Sequence, residues 1–270
     1  EIGSNDGIFL KEIKKQYNAK VLGIDPSDEP VAIARKYKIP TIKDFFNYSI
    51  SKKIKKKYGS PDLIIANNVF AHMDDMHSIV KGINHLLEEN GYFIFEASYL
   101  RDVVKKNLIG TIIHEHLSIH SIFSLKPFLS LYNLQLIGLK HVNKIQGGAI
   151  IGIAIKSKKI IKSNVVQHFI NIEKENNLTT IKGLKRFNNV FHSRINNFKK
   201  QINKKYLNQS IVGYGASRSA PLIIDLFELR NKIEFIVDDN PRKINKYLSI
   251  GNIPIYNFKK KRNFLNNKII

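Results

Sequence analysis

Residues 1–25 read Glu1-Ile2-Gly3-Ser4-Asn5-Asp6-Gly7 followed by IFLKEIKKQYNAKVLGID, which ends on Asp25. Glu1-Ile2-Gly3 has the character of the end of a buried strand. After Gly7 the apolar residues Leu10, Ile13 and Tyr17 recur at helical spacing, and Lys20 to Ile24 forms a short apolar strand. Strand, glycine turn, helix, strand is the repeating unit of a parallel sheet. Glycines in such a turn let the backbone bend sharply and approach a ligand where a side chain would collide. The helix beyond opens with unpaired N–H groups. Asp25, at the end of the second strand and about 20 residues after the turn, is placed to accept both hydroxyls of a ribose. The bland alternative is a turn or capping Asp before Pro26. The Glu-x-Gly-x-x-x-Gly spacing differs from the Gly-x-Gly-x-x-Gly dinucleotide pattern.

Outward from this unit the alternation continues. A helix is expected from about Asp28 to Tyr37, with Pro30 in its first turn. Thr41-Ile42 leads to Asp44-Phe45-Phe46, where an Asp and a ring face suit an adenine; Phe45 and Phe46 read equally well as core. Pro61 opens the strand Asp62–Ala66, a helix runs from His77 to Leu87 and stops near Asn90-Gly91, and Tyr92–Glu96 is the next strand. The fold class is α/β, a Rossmann-like sheet with helices on both faces. Leu134–Lys140 and Gly148–Ile155 have no helix between them and form an antiparallel pair at its end.

The first domain is therefore expected to span 1–158. A helical connector fills 159–208, where Ile181, Leu184, Phe191, Ile195, Phe198 and Ile202 recur near every 3.5 residues. That period suits a helix laid on a neighbouring domain, or a coiled coil. A second, smaller Rossmann-like α/β domain occupies 209–270: strand Ser210–Tyr214, helix Ser219–Leu229, strand Ile233–Val237. The chain starts without a strand's worth of residues before Gly3 and stops on Lys268-Ile269-Ile270, as a fragment cut at both ends would.

Composition narrows the function classes. The chain has 270 residues, 43% hydrophobic and 24% charged, enough for a sizeable core. No run of eighteen apolar residues exists, which leaves no membrane span. With no Cys there is no disulfide framework, Cys-ligated zinc or cysteine nucleophile in this sequence, and a cytoplasmic setting is expected. The charge of +22 invites a nucleic-acid reading, but of 44 basic residues only eight are Arg. Base readers lean on Arg for bidentate contacts. The charge reads as a solvated lysine surface, with neither nucleic acid nor membrane as partner.

Taken together, "EIGSNDG", "VLGIDPS", "TIKDFFN", "PDLIIANNVFAHMDD" and "GYFIFEASYL" resemble class I S-adenosylmethionine-dependent methyltransferases. More narrowly, they resemble the C-methyltransferases of nucleotide-linked deoxysugars. The resemblance continues through "TIIHEHLSIHS", "QGGA", "GYGASRSAPLI" and "IVDDNPRKINKYLSIGNIPIY". It implies that S-adenosylmethionine is the cofactor, held by Glu1, Gly3, Asn5, Gly7, Asp25, Asp44, Phe45, Asn67 and Asn68. It implies a nucleotide-linked sugar as substrate, or another small molecule. It also implies zinc in a preceding domain that this sequence does not contain, and no metal within it.

By the same resemblance His116 is the base that makes an enolate of a keto sugar, with Glu115 its partner; a histidine titrates near working pH. His114, Tyr99, Gly213, Gly215, Arg218 and Asp239 are the expected substrate contacts. Glycine-turn N–H groups with Arg218 suit a diphosphate, while Asp239-Asn240-Pro241 also reads as a plain turn. His72 reads as a site residue or a helix cap, and Glu96 as a ligand contact or a structural hydrogen-bonder. The sequence departs from the pattern at four places. Ile113 and Ile119 stand where Tyr is usual, "QGGA" (Gln146 to Ala149) replaces His-Gly-Gly-Ser, and Gly152 falls where Arg is common. Ile113 offers no hydrogen bond to an enolate oxygen. O- or N-methylation, or a nucleotide-sugar-binding relative without activity, are the readings these changes leave open.

Overall fold

A computed structural model describes residues 1–143, 147–206, 209 and 211–261. Gln146, Ser210 and the closing Lys268-Ile269-Ile270 lie outside the described residues. The chain divides into two compact units, one of residues 1–106 and 115–180, the other of residues 107–114 and 181 onward.

The first unit is built on a mixed sheet. Its helices and strands in order are α1 (Ile8–Tyr17), β1 (Gly23–Asp25), α2 (Asp28–Lys36), β2 (Thr41–Lys43), α3 (Tyr48–Tyr58), β3 (Leu63–Asn67), α4 (Met76–Leu86), β4 (Tyr92–Ser98), α5 (Leu100–Lys106), α6 (Ile122–Ser130), β5 (Leu134–Val142), β6 (Ala149–Lys156) and α7 (Asn164–Glu175). Ile2 bridges Ile24 on one side and Ala66 on the other, both in parallel. One residue thus fills the central strand position and joins β2-β1 to β3-β4-β6-β5. Its N–H donates to the Ile65 carbonyl at 2.8 Å, and the Ile24 N–H donates to the Glu1 carbonyl at 3.0 Å. β6 runs antiparallel to both β4 and β5, so the expected closing pair is present.

The core lies against the sheet. Ile2, Ile24, Ile64, Ala66, Phe70, Phe93 and Phe95 are buried together, each large side chain contributing about 2 kcal/mol by leaving water. Strand β4 shows why. Phe93, Phe95 and Ala97 alternate inward, and the same period of two carries Tyr99 inward just past the strand.

The boundary expected at 158 falls at 180 instead. Helix α7 packs Val166 and Ile170 into the first unit's core, and its Glu173 carboxylate accepts the N–H groups of Ile122 and Phe123 at 2.7 and 2.8 Å. That carboxylate satisfies the first turn of α6, so the helix belongs to this unit and not to a connector.

The second unit contains α8 (Ile181–Lys205), β7 (Ile211–Tyr214), α9 (Ala220–Leu226), β8 (Ile233–Asp238), β9 (Ile255–Asn257) and a short α10 (Phe258–Lys261). Its sheet is parallel, in the order β7-β8-β9. Helix α8 lies against this unit: Phe198 meets Phe227 with ring centroids 4.6 Å apart, and Lys199 pairs with Glu228 at 2.7 Å.

Candidate active site

The glycine turn is a tight cradle. Gly3 and Gly7 have φ of +69° and +73°, and Asn5 between them has +50°. A Cβ on Gly3 would lie 2.3 Å from Val69 Cγ1, so backbone conformation and crowding both demand glycine there. The Asp25 carboxylate is buried and accepts the Asn5 N–H at 3.0 Å on Oδ2 and the Ser27 N–H at 2.9 Å on Oδ1. Each oxygen keeps one lone pair for a further donor. The turn reading of Asp25 is thus seen directly, and the remaining acceptor capacity leaves its carboxylate chemically able to take further donors.

Glu1 and Asn67 meet across the sheet, the Asn67 amide donating to Glu1 Oε1 at 3.4 Å. Oε2 of Glu1 is buried with no hydrogen-bond partner, and burial pushes this carboxyl above the usual range. A buried carboxylate oxygen without a donor is costly, and this one stands open to a cationic or hydrogen-bonding group. Asn68 adopts φ of +54° and its N–H donates to the Glu96 carbonyl at 3.0 Å. Phe46 is core, whereas Phe45 is 72% exposed, which leaves Phe45 free to offer a ring face. Asp44 is exposed and receives the Phe45 N–H at 2.8 Å.

The His-Glu-His stretch is divided between the units: His114 falls with the second, Glu115 and His116 with the first. In the first unit this stretch runs along the sheet's carboxyl edge. The Ser118 N–H donates to the Ala71 carbonyl at 3.2 Å, and His120 bridges Tyr99 in parallel. His72, in a single 3-10 turn after β3, donates its Nδ1–H to the Glu115 carbonyl at 2.7 Å. A carbonyl can only accept, so this bond leaves Nε2 of neutral His72 as an acceptor. Its ring lies 4.8 Å from that of His116. His120 is buried, its pKa lowered by that burial, and is tied to the Phe70 carbonyl at 3.3 Å.

Tyr99, expected as a substrate contact, points into the core. It is wholly buried, and burial with the neighbouring Glu173 pushes its hydroxyl far up. Gly152 pairs with Phe95 across β4 and β6, and a Cβ there would lie 2.2 Å from Phe95 Cζ, so no Arg can stand at that position. Two residues that sequence reasoning passed over lie at the same edge. Asp102, 2% exposed, holds His141 Nε2 at 2.5 Å and Lys106 Nζ at 3.2 Å. Gly148, with φ of +135°, leaves room for that carboxylate, since its Cβ would lie 2.4 Å from Asp102 Cγ. The only advance signal was the paired glycine of the "QGGA" stretch.

In the second unit the inward carboxylate is Asp238, not Asp239. Asp238 is buried and accepts the Ala216 N–H and the Asn240 N–H, both at 2.8 Å, and Lys243 Nζ at 3.1 Å. Burial alone would raise its pKa; these donors outweigh burial and hold it below the usual range. Asp239 is exposed and accepts the Tyr214 hydroxyl at 2.7 Å, which raises the Tyr214 pKa. Gly213 packs close to Ile236, Gly215 turns with φ of +88°, and Arg218 is exposed beyond the turn.

Comparison with known proteins divides the chain earlier, at the end of β5 and before β6. Residues 1–139 match the methyltransferase domain family, and residues 144–265 match the C-methyltransferase C-terminal domain. The C-methyltransferase NovU of Streptomyces niveus is 32% identical over 151 residues, 56% of this chain and 36% of NovU. The chain thus aligns with little more than a third of that relative. Among solved structures, an S-adenosylmethionine-dependent methyltransferase from Archaeoglobus fulgidus gives a TM-score of 0.47 at 16% identity, over 57% of this chain and 84% of that one. Magnesium protoporphyrin IX methyltransferase from Synechocystis, with bound S-adenosylhomocysteine, gives 0.45 at 15% identity, over 58% and 72%.

Proposed function

The chain belongs to the methyltransferase domain family, and from that premise we propose that it moves a methyl group from S-adenosylmethionine to a carbon of a nucleotide-linked keto sugar. The observation that carries the cofactor half is the buried, unpartnered Oε2 of Glu1 beside Asn67, at the start of the turn that Asp25 closes. A carboxylate oxygen in that state calls for a cationic amino group, and the two spare lone pairs of Asp25 call for two hydroxyls. S-adenosylmethionine carries both. When bound, it supplies an electrophilic methyl group on a sulfonium centre.

The chain's own residues handle the proton. A ketone beside the acceptor carbon acidifies its C–H. His116 would take that proton on a ring nitrogen, freeing the electron pair on carbon to bond the methyl group that bound S-adenosylmethionine would supply, while the carbon–sulfur pair would stay on sulfur and leave S-adenosylhomocysteine. His72, whose Nδ1–H is committed to the Glu115 carbonyl, keeps Nε2 as an acceptor and is the second candidate for the same step. Glu115, whose carbonyl holds His72, is the proposed acidic partner of His116. In the second unit, Gly213, Gly215, Arg218 and Asp239 are the proposed contacts of the nucleotide part, with Asp238 now added. The match of residues 144–265 to the C-methyltransferase C-terminal domain supports carbon as the site of transfer.

Ile113 favours a second reading. It brings no hydrogen-bond donor to an enolate oxygen, which suits O- or N-methylation, or a chain that binds without transferring.

Calorimetric titration with S-adenosylhomocysteine tests the cofactor half. Asp25→Ala is expected to weaken binding about a hundredfold, the value of two hydroxyl bonds to a charged acceptor at about 1.5 kcal/mol each. Equal affinity in the variant overturns the assignment. His116→Ala is expected to keep that affinity and to lose turnover of a nucleotide-linked keto sugar.

A further inference from the structure

The proposed chemistry occupies the carboxyl edge of the first unit's sheet, and the opposite edge carries a separate feature. Around the amino ends of β4 and β5 and the last residue of β6 lies a cavity of about 230 Å³, lined by Lys55, Asn84, His85, Glu89, Lys156 and Lys158 among others. Its lysines come from different elements. Lys55 stands on α3 and donates to the His85 carbonyl at 3.0 Å. Lys156 ends β6, donates to the Leu87 carbonyl at 2.9 Å and pairs with Glu89 at 3.0 Å.

These bonds cap the last carbonyls of α4, a common duty of lysine. Capping does not use the site up. Each ammonium has three donors, so Lys55 keeps two and Lys156 keeps one. Lys158 makes no hydrogen bond or ion pair among the described residues. Three ammonium groups face one carboxylate, and the Lys156 side chain is only 14% exposed, so its field is weakly screened. Asn84 Oδ1 is buried there without a partner; with the amide turned over, its NH₂ would face the cavity. Two groups report the excess positive potential. His85 is pushed down by burial and by Lys55 and Lys156, and Glu89 is held down by its Lys156 hydrogen bond and by Lys156, Lys158 and Lys55 charges.

We propose that this cavity is an anion site that takes a phosphate group, free or as a monoester, between Lys55, Lys156 and Lys158. The site is independent of the methyltransferase reading, which fails or stands on S-adenosylhomocysteine binding at the other edge.

The test is proton NMR of the His85 ring in the whole chain, its signal identified by its loss in His85→Gln. Inorganic phosphate is titrated at constant ionic strength set with potassium chloride. The expected result is a saturable movement of the His85 signal, with its titration midpoint raised because a bound anion favours the imidazolium. Lys158→Glu, at an exposed position that holds no part of the fold, is expected to weaken phosphate about tenfold. Asp25→Ala is expected to leave phosphate binding unchanged. Glucose 1-phosphate in place of phosphate separates the sources: tighter binding assigns the site to an ester, equal or weaker binding to the free ion. No saturable movement, movement matched by chloride alone, or equal affinity in Lys158→Glu overturns the proposal.

Discussion

In the first unit Asp25 accepts the backbone N–H groups of Asn5 at 3.0 Å and Ser27 at 2.9 Å. In the second, Asp238 accepts those of Ala216 and Asn240, both at 2.8 Å. Each carboxylate ends a strand, receives one bond from the glycine turn before it and one from the residue two places after it. The same device is thus built twice. What surrounds it differs. The first has Gly3 pressed against Val69 and an orphaned Glu1 oxygen beside it, and among the described residues Asp25 has no ion pair. The second has Gly215 with nothing within 4 Å of its Cβ direction, and Lys243 already on its carboxylate. The first cradle is shaped to the limit and short of donors; the second is roomy and already partly neutralised.

Gly3→Ala should break the first cradle. The new methyl would overlap Val69 and the backbone would be held at φ of +69°, together costing about 3 kcal/mol. The expected outcome is a large fall in the denaturation midpoint with loss of S-adenosylhomocysteine binding. A variant that unfolds normally and binds normally would mean that the crowding around Gly3 yields without cost.

Much of this cradle was legible in the sequence. Glycines around a turn followed about 20 residues later by a strand-ending Asp describe local geometry, and local geometry is what sequence spacing encodes. The single-residue strand at Ile2 was foreshadowed by the apolar end of Glu1-Ile2-Gly3, and the antiparallel β5–β6 pair by the missing helix. The burial of Tyr99 has its signal in the sequence too: Phe93, Phe95 and Ala97 fix the inward phase, and Tyr99 continues it. At the end of β8 Asp238 takes the buried place and Asp239 stays exposed, a distinction that two adjacent aspartates do not announce in sequence. Other features were out of reach. Asp102 and His141 are 39 positions apart, and Glu173 caps a helix 51 positions away at Ile122. No local period announces such pairs, so the α7 boundary had no signal either.

Acid separates the two cradles by sign. Asp238 is held below the usual aspartate range, so its contribution is complete above about pH 4 and is lost as pH falls through its lowered folded-state value. Glu1 is raised by burial, so its ionised form costs stability at neutral pH and that cost disappears on acidification. Denaturant unfolding of Asp238→Asn is therefore expected to lie below the unsubstituted chain at neutral pH and to converge with it in acid. Glu1→Gln is expected to lie above it at neutral pH and to converge likewise. Parallel curves for either variant would detach that carboxyl from the pH dependence.

The smallest effect belongs to Gly215→Ala. Its φ of +88° disfavours any residue with a Cβ, yet nothing lies within 4 Å of where that Cβ would go. Strain without overlap costs about 1 kcal/mol, a third of the effect at Gly3. A modest fall in the denaturation midpoint with an undisturbed S-adenosylhomocysteine affinity is expected, because this turn belongs to the other unit. A loss as large as that of Gly3→Ala would show that the roominess around Gly215 is not what distinguishes the cradles. The difference between them would then have to rest on the Lys243 contact to Asp238 and the unpartnered Oε2 of Glu1.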